Sequence, residues 1–531
     1  MDLARFIAEL SDPVVLPWPA ASIEVRQTHI SIVLLAGDVV YKLRKPVKLP
    51  FVDFSTLELR KRDCDAEVRL NSRLAADVYL GVVPIVRQRD GLKFEGTGEP
   101  IEWAVKMRRL ADEDTLASRL ERGHVTPELL EALARQLAEF HAQAERSPRI
   151  SEFGRTQVVA ANARGNFEQS RSQVGSTVTA AVFERTARRT EELLAELGPL
   201  LESRASRGIP CDTHGDLRAD HVYFVEASTA AEPNTLVIDC LEFNDAFRYA
   251  DPVADMAFLV MDLTFAGRPD LARVFADSYF TASGDEEGRQ LLPFYIGYRA
   301  AVRAKVEGLK AAEAEVPRQQ REQASARATG YWLLALGALE LPQQRPALVL
   351  VGGLPGSGKS TLAAQLSEQA NFEVIRSDVV RKELAGDGNS TTDSGAFGEG
   401  LYTAAWNTRT YAECLARAEG LLREGRRVIV DASFRQQVRR EAFFDLASRL
   451  QVPLLLLVCE ASADVIRERL AARQGDASDA DWAIYQRAAR AWEPVAHTVA
   501  ARQHVVPSGG AREVTLSQAL TKLREAGVTD R

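Results

Sequence analysis

Three consecutive residues in "CDTHGDLRADHVYF" (211 to 224), His214, Gly215 and Asp216, bring an imidazole, a flexible backbone position and a carboxylate together, and a second imidazole, His221, follows five residues after the acid. Such a cluster can hold a metal, move a proton or fill a core. A second stretch, "VLVGGLPGSGKST" (349 to 361), has a narrower chemistry. Its "GLPGSGKS" satisfies GxxxxGK[ST], with an apolar run before it and a helix-forming run after it. Gly353, Gly356, Ser357 and Gly358 let backbone N–H groups curl round phosphates at a helix N-terminus. Lys359 brings positive charge to the phosphoryl group, and Ser360, followed by Thr361, supplies a hydroxyl for Mg²⁺. ATP and Mg²⁺ are the expected cofactors.

The elements that must position these residues follow from the pattern. "SIVLLAG" and "VVYKLRKP" flank Gly37-Asp38 and predict a β-hairpin. Residues 55–77 have Leu57, Val68, Leu70 and Leu74 at helical spacing, and "VVPIVRQ" and "IEWAVKMRRL" follow as strands. Thr126 before Pro127 marks a helix start, with a capping hydroxyl ahead of a proline in the first turn. Helices dominate to about residue 338, broken by the "THGDLRADHVYF" and "LVIDCLEF" strand-loop segments. "LPQQRP" (341 to 346) is the linker candidate, and apolar strands at 347–352, 427–431 and 453–459 then alternate with helices, the rhythm of a parallel sheet.

A chain of 531 residues exceeds one ordinary core, so more than one domain is expected. With 46% hydrophobic and 26% charged residues it reads as globular, and a net charge of -8 gives no whole-chain reason to bind nucleic acid. Five well-separated cysteines without a CxxC pair read as free thiols of a reducing compartment. The N-terminus has no basic segment leading into an apolar run, and the run "VPLLLLVC" falls far short of the ~20 residues a membrane span needs. A cytoplasmic location is expected, with no membrane partner.

Residues 345–531 resemble the P-loop kinases of small acceptors, the group with gluconate kinase-like and polynucleotide kinase-like domains. The resemblance implies that Asp378, in "VIRSDVVRKEL", accepts the proton of the attacking hydroxyl, with Arg376 and Arg381 near the acceptor. It makes Asp431, ending "RRVIVD", the acid that holds Mg²⁺ through water. It also makes 464–482 a lid, whose Arg469 and Arg473 stabilise the transferring phosphoryl group and its nucleotide.

"HGDLRADH" resembles the HGDxxxxN loop of aminoglycoside phosphotransferase-like kinases, relatives of the protein kinases. Asp216 then takes the catalytic aspartate position and His214 structures the loop. His221 stands where that family has an Mg²⁺-binding Asn. Imidazole suits Mg²⁺ less well than a carbonyl oxygen, so His221 is either a metal ligand that admits Mn²⁺ or a phosphate contact. "LVIDCLEFNDAFRYADPVADMA" resembles the family's metal segment. Asp239 would be the ligand there, Asp251 and Asp255 would cap and brace the next helix, and Glu242, Asn244 and Asp245 would face acceptor or metal. Lys42, with Lys45 its rival, fits the lysine that pairs ATP phosphates, and Glu67 fits its helical partner. The turn 27–31 would cover the phosphates, and backbone groups of Val105 to Met107 would read adenine.

The fold implied is multidomain α+β and α/β: a bilobal protein kinase-like unit over 1–340, its lobes about 1–110 and 111–340, then a P-loop NTPase parallel-sheet α/β domain over 345–531. Tyr295, Arg299 and Arg303 fall on one helical face, and "NARGNFEQSRSQ" (162 to 173) adds Arg164 and Arg171, which favours an anionic or neutral acceptor. The function implied is a bifunctional ATP-dependent phosphotransferase acting on hydroxyls of sugars, sugar phosphates or nucleotide-like molecules. Two alternatives stand beside it. In one, the P-loop unit is a 5′-hydroxyl polynucleotide kinase using Tyr402, Trp406 and Tyr411, which makes nucleic acid a disfavoured partner. In the other, one unit is an ATP sensor that regulates its neighbour.

Overall fold

The computed structural model describes every residue except 1, 50, 51, 90, 226–233, 387–402, 473–480, 495–499 and 531. The chain packs as two compact units, one made of 1–160 and 197–295, the other of 161–196 and 296–531. The proline-flanked break at 341–346 is therefore not a free linker. Arg427, 4% exposed, donates to the carbonyls of Pro342 and Arg345, and half-buried Arg185 bonds Glu340 at 2.7 Å, so two arginines tie the segment into the second unit.

In the first unit, β1 (Glu24–Gln27), β2 (Ser31–Ala36), β3 (Val39–Arg44), β4 (Tyr79–Gln88), β5 (Gly91–Phe94) and β6 (Pro100–Arg108) form an antiparallel sheet in the order β1-β2-β3-β6-β4-β5. The predicted hairpin is β2–β3, closing at Ala36 opposite Val39. Helix α1 (Leu57–Ala75) is capped by the Thr56 hydroxyl, which accepts from the Leu59 N–H at 3.3 Å. The helical part contains α2 (Pro127–Gln143), α3 (Pro252–Phe265) and α4 (Pro269–Ser283). Thr126 precedes α2 as predicted but its hydroxyl does not cap it. Helix α3 is apolar nearly all round and accordingly buried, with Met256, Leu259 and Met261 fully so. Two short ladders frame the HGD loop: β7 (Cys211–Asp212) pairs with β10 (Tyr249–Ala250), and β8 (Val222–Val225) with β9 (Asn234–Val237).

In the second unit, β11 (Ala347–Gly353), β12 (Glu373–Arg376), β13 (Arg427–Asp431), β14 (Leu454–Glu460) and β15 (Gln503–Pro507) make a wholly parallel sheet in the order β12-β13-β11-β14-β15. Every residue of β11 is buried, as a central strand covered on both faces requires. Its helices include α5 (Lys359–Ala370), α6 (Ser377–Ala385), α7 (Ala404–Arg423), α8 (Gln437–Arg449), α9 (Ala463–Ala471) and α10 (Arg512–Glu525). Among the described residues no helix is long and apolar enough to cross a membrane, and all five cysteines are buried and unpaired with one another.

Candidate active sites

In the first unit Lys42 points from β3 at two carboxylates, donating to Glu67 Oε1 at 2.9 Å and to Asp239 Oδ1 at 2.8 Å. Burial opposes the ammonium charge, yet Asp239 and Glu67 outweigh it and raise the Lys42 pKa well above normal. Lys42 in turn holds the Asp239 carboxyl far below its usual range, against the pull of burial. Lys45, the rival, has no ion pair among the described residues.

Glu67 is held from behind as well. Arg44, wholly buried, donates from Nη2 to Glu67 Oε2 at 2.6 Å, from Nη1 to Ser31 Oγ at 3.1 Å, and also binds Asp63 and Glu242. Asp63, Glu67 and Asn71 lie four apart on α1 and form one buried polar stripe, whose third member accepts from the Cys240 N–H at 2.8 Å. Burial pushes the Glu242 carboxyl up even beside Arg44. Glu242 is thus a partner of Arg44, while Asn244 caps the short helix Asp245–Arg248 and Asp245 pairs with Arg248 at 2.9 Å. In this structure all three are bound to the protein's own groups.

The HGD loop is braced by one buried acid. Asp255 accepts from the His214 N–H at 3.0 Å and the Gly215 N–H at 2.8 Å, and is itself held by His141 at 3.1 Å. Asp251, its neighbour in sequence, caps α3 and pairs with Arg204 at 2.7 Å. Gly215 has φ +85°, and a Cβ there would lie 3.1 Å from the Phe247 carbonyl oxygen, so only glycine fits. His221 Nδ1 donates to the Asp216 carbonyl at 2.9 Å, because that oxygen can only accept. Its Nε2 then faces Asp239 Oδ2, 3.6 Å away. Asp216, His221 and Asp239 therefore converge, and Asp239 holds a left-handed backbone, φ +63°.

His214 Nε2 donates to the Ile238 carbonyl at 3.0 Å, and its Nδ1 is buried with no hydrogen-bond partner among the described residues. Burial lowers its pKa from 6.5 to about 4, with Asp255 and Asp216 opposing and His221 reinforcing. The folded form therefore binds fewer protons than the unfolded chain. The stability this gives is present above pH 6.5 and is lost as pH falls towards 4, roughly 3 kcal/mol in all. Urea unfolding of wild type and His214→Gln at pH 7 and pH 4.5 checks this. The wild type is expected to lose more stability between the two pH values, and an equal loss in both contradicts the assignment.

In the second unit β11 runs into the phosphate loop and α5 begins at Lys359. Gly353, φ +137°, is required because a Cβ would meet the Cys459 carbonyl oxygen at 2.6 Å. The Ser357 hydroxyl, 1% exposed, has no partner among the described residues, an orphan that an anion in the loop would satisfy. Lys359 Nζ donates to the Leu354 carbonyl at 3.1 Å.

Two cavities meet on this loop. One, about 340 Å³, is lined by Gly356, Gly358, Lys359, Ser360, Thr361 and Arg469, whose Nη2 donates to the Ser508 carbonyl at 2.7 Å. The other, about 130 Å³, is lined by Gly356, Lys359, Ser360, Asp378, Arg381 and Asp431, with further residues of α7 and α8. Asp431 ends β13, and Asp378 opens α6 directly after β12. Burial raises the Asp431 carboxyl, while Lys359 and a hydrogen bond from Ser360 pull it down, and Arg376 lies 3.7 Å away. Arg473 lies outside the described residues, as does Tyr402. Tyr411 is 8% exposed and its hydroxyl meets Ser433 at 3.2 Å, so it is no open stacking platform.

Two further expectations change. Val105 to Met107 lie inside β6, paired on both edges, so their backbone groups are committed to the sheet and are not free to read adenine. Tyr295 and Arg299 are 3% and 8% exposed, and Arg303 pairs with Glu307 at 3.2 Å, so these residues do not form a solvated basic face. Arg44, Asp63, Asn71 and Arg439 were missed by sequence reasoning. For Asp63 and Asn71 the signal was a polar residue every fourth position in an otherwise amphipathic helix. Residues 27–31 do form a tight turn, in which Thr28 Oγ1 accepts from the Ser31 N–H at 2.9 Å.

Comparison with known proteins finds two matches to family models: the phosphotransferase enzyme family over residues 51–292 and an AAA domain family over 348–495. Uncharacterized proteins of Mycobacterium tuberculosis (strain ATCC 25618 / H37Rv) and Mycobacterium bovis (strain ATCC BAA-935 / AF2122/97) are each 36% identical over 510 residues, covering 95% of this chain and 96% of theirs. Among solved structures, an aminoglycoside 2′-phosphotransferase-IIIa in its GDP complex is 16% identical, covering 59% of this chain and 94% of its own, with a TM-score of 0.35. A gluconokinase from Sinorhizobium meliloti 1021 is 18% identical, covering 34% and 93%, with a TM-score of 0.26.

Proposed function

The chain belongs to the family of its mycobacterial relatives and itself carries a phosphotransferase-family unit followed by an AAA-family P-loop unit, and we propose that this ATP-dependent kinase is bifunctional. Each unit moves the γ-phosphoryl group of ATP to a hydroxyl of a small molecule such as a sugar, sugar phosphate or nucleotide-like compound. For chemistry we divide the chain into 1–340 and 345–531, a reading supported by family matches that end at 292 and begin at 348. The protein works in the cytoplasm, in keeping with five buried free thiols.

In the first unit Asp216 orients the acceptor hydroxyl and takes its proton, and Lys42, steadied by Glu67, binds ATP phosphates. In the second, Lys359, the glycines 353, 356 and 358, Ser357, Thr361 and Arg469 bind ATP, Asp378 takes the proton, and Arg473 stabilises the transferring phosphoryl group. The observation that carries the second assignment is the pair of cavities sharing Gly356, Lys359 and Ser360, which puts a nucleotide side and an acceptor side against one lysine.

The donor sets suit a divalent cation. Asp239 and His221, whose Oδ2 and Nε2 lie 3.6 Å apart, would hold it in the first unit, and Ser360 and Asp431 in the second. When bound, such an ion neutralises charge on the phosphates being cleaved. The imidazole favours Mn²⁺ more than an amide would. His221→Asn is therefore expected to lower the ratio of Mn²⁺ to Mg²⁺ affinity about tenfold, read by electron paramagnetic resonance of free Mn²⁺ with a non-hydrolysable ATP analogue present. An unchanged ratio contradicts the ligand role.

Equilibrium dialysis with β,γ-imido-ATP tests the bifunctional reading: two sites per chain in wild type and one in Lys359→Ala. A single site in wild type, lost in Lys359→Ala, would leave the first unit without nucleotide. A nucleotide bound there but never cleaved is the sensor alternative, which His221 in place of Asn favours.

A further inference from the structure

We propose that the acceptor side of the P-loop unit is built for a small anionic alcohol, a hydroxyl compound that also carries a carboxylate or phosphate, and that Arg439 binds its charge. This rests on the reading of that unit as a kinase. The cavity that shares Gly356, Lys359 and Ser360 with the nucleotide side is lined by Arg381, Arg435 and Arg439 beyond Lys359, against two acids, Asp378 and Asp431. Guanidinium groups keep their charge at any relevant pH and present donors in a planar fork that matches an oxyanion.

Arg439 is anchored by neutral groups, and Arg381 is held beside it in the same cavity. Arg381, 6% exposed, donates from Nη1 to the Asn407 amide oxygen at 3.0 Å. Arg439, in the first turn of α8, donates from Nη2 to the Thr408 hydroxyl at 2.7 Å and lies over the Tyr411 ring, 5.4 Å from its centroid. Tyr411 is itself fixed by Ser433 and by the Phe434 N–H, which donates to its hydroxyl at 3.1 Å. The Arg439 guanidinium is therefore held in place, and its Nε is buried without a hydrogen-bond partner among the described residues. A buried orphan donor on a fixed cation is costly unless an acceptor arrives, and a carboxylate or phosphate oxygen is that acceptor. A cationic acceptor would meet like charge. A volume of about 130 Å³ suits a small molecule and not a strand of stacked bases.

Calorimetric titration of the full chain, saturated with β,γ-imido-ATP and Mg²⁺, tests this. The titrants are inorganic phosphate and D-gluconate, with D-glucose and ethanolamine as neutral and cationic controls. At least one anion is expected to bind wild type more tightly than either control. Arg439→Met is expected to weaken that anion by about tenfold to a hundredfold, and Arg439→Lys to restore part of it, with β,γ-imido-ATP affinity unchanged. Failure of both anions to bind, preference for a control, or equal anion affinity in wild type and Arg439→Met overturns the proposal while leaving the kinase reading intact. The kinase reading fails separately if Lys359→Ala leaves the β,γ-imido-ATP stoichiometry at its wild-type value.

Discussion

Lys359→Ala is expected to lower phosphoryl transfer by the P-loop unit by roughly 10³-fold. Lys359 lines both cavities, so in the function proposed above its ammonium stands where a phosphoryl group passes from nucleotide to acceptor. Asp431 is buried at 5% exposure, and Lys359 is the first of the charges that keep its carboxyl from rising further. Alanine therefore removes charge stabilisation of the transferring group and leaves Asp431 with the weaker pulls of Ser360 and Arg376 against burial. Steady-state ADP formation with an identified acceptor measures the loss. A decrease below tenfold would mean that the lysine binds the protein's own loop, as it does at Leu354, and no phosphate.

Asp216→Asn is expected to lower turnover in the first unit by about 10²–10⁴-fold while nucleotide affinity changes little. The substitution is close to isosteric, and the contacts that shape the loop go to its backbone. His221 bonds the Asp216 carbonyl, and Asp255 holds the His214 and Gly215 N–H groups. Lys42, Glu67 and Asp239 are bonded to one another, so their geometry does not depend on the Asp216 carboxylate. What is lost is the group that accepts the hydroxyl proton. Comparison of kcat with the dissociation constant of β,γ-imido-ATP separates the two effects. Full turnover with asparagine at this position would remove Asp216 from the chemistry.

The elements were legible where a local rule decides them. Gly37-Asp38 between two β-rich runs made the β2–β3 hairpin, Thr56 opened α1, and the glycine-lysine loop between an apolar strand and a helix marked the second unit's sheet. The partners were less legible, because they lie far apart in sequence. Lys42 meets Glu67 across 25 residues and Asp239 across 197, and Arg44 meets Glu242 across 198. Only a family resemblance put Lys42, Glu67 and Asp239 on one line, and nothing in the sequence announced that Arg44 would clamp Glu67 from the other side. Val105 to Met107 show the opposite case. Their alternation says strand, but not that both edges of that strand would be paired. Residues 341–346 read as a linker by composition, while the buried Arg427 that binds them lies 82 and 85 positions further on.

The most direct measurement is transfer from γ-labelled ATP into a small-metabolite extract, with and without RNA oligonucleotides, for wild type, Asp216→Asn and Lys359→Ala. Two independent kinases predict that each substitution removes a different labelled product and leaves the other. If Lys359→Ala removes all labelling while Asp216→Asn changes nothing, the first unit transfers no phosphate and the chain is not bifunctional.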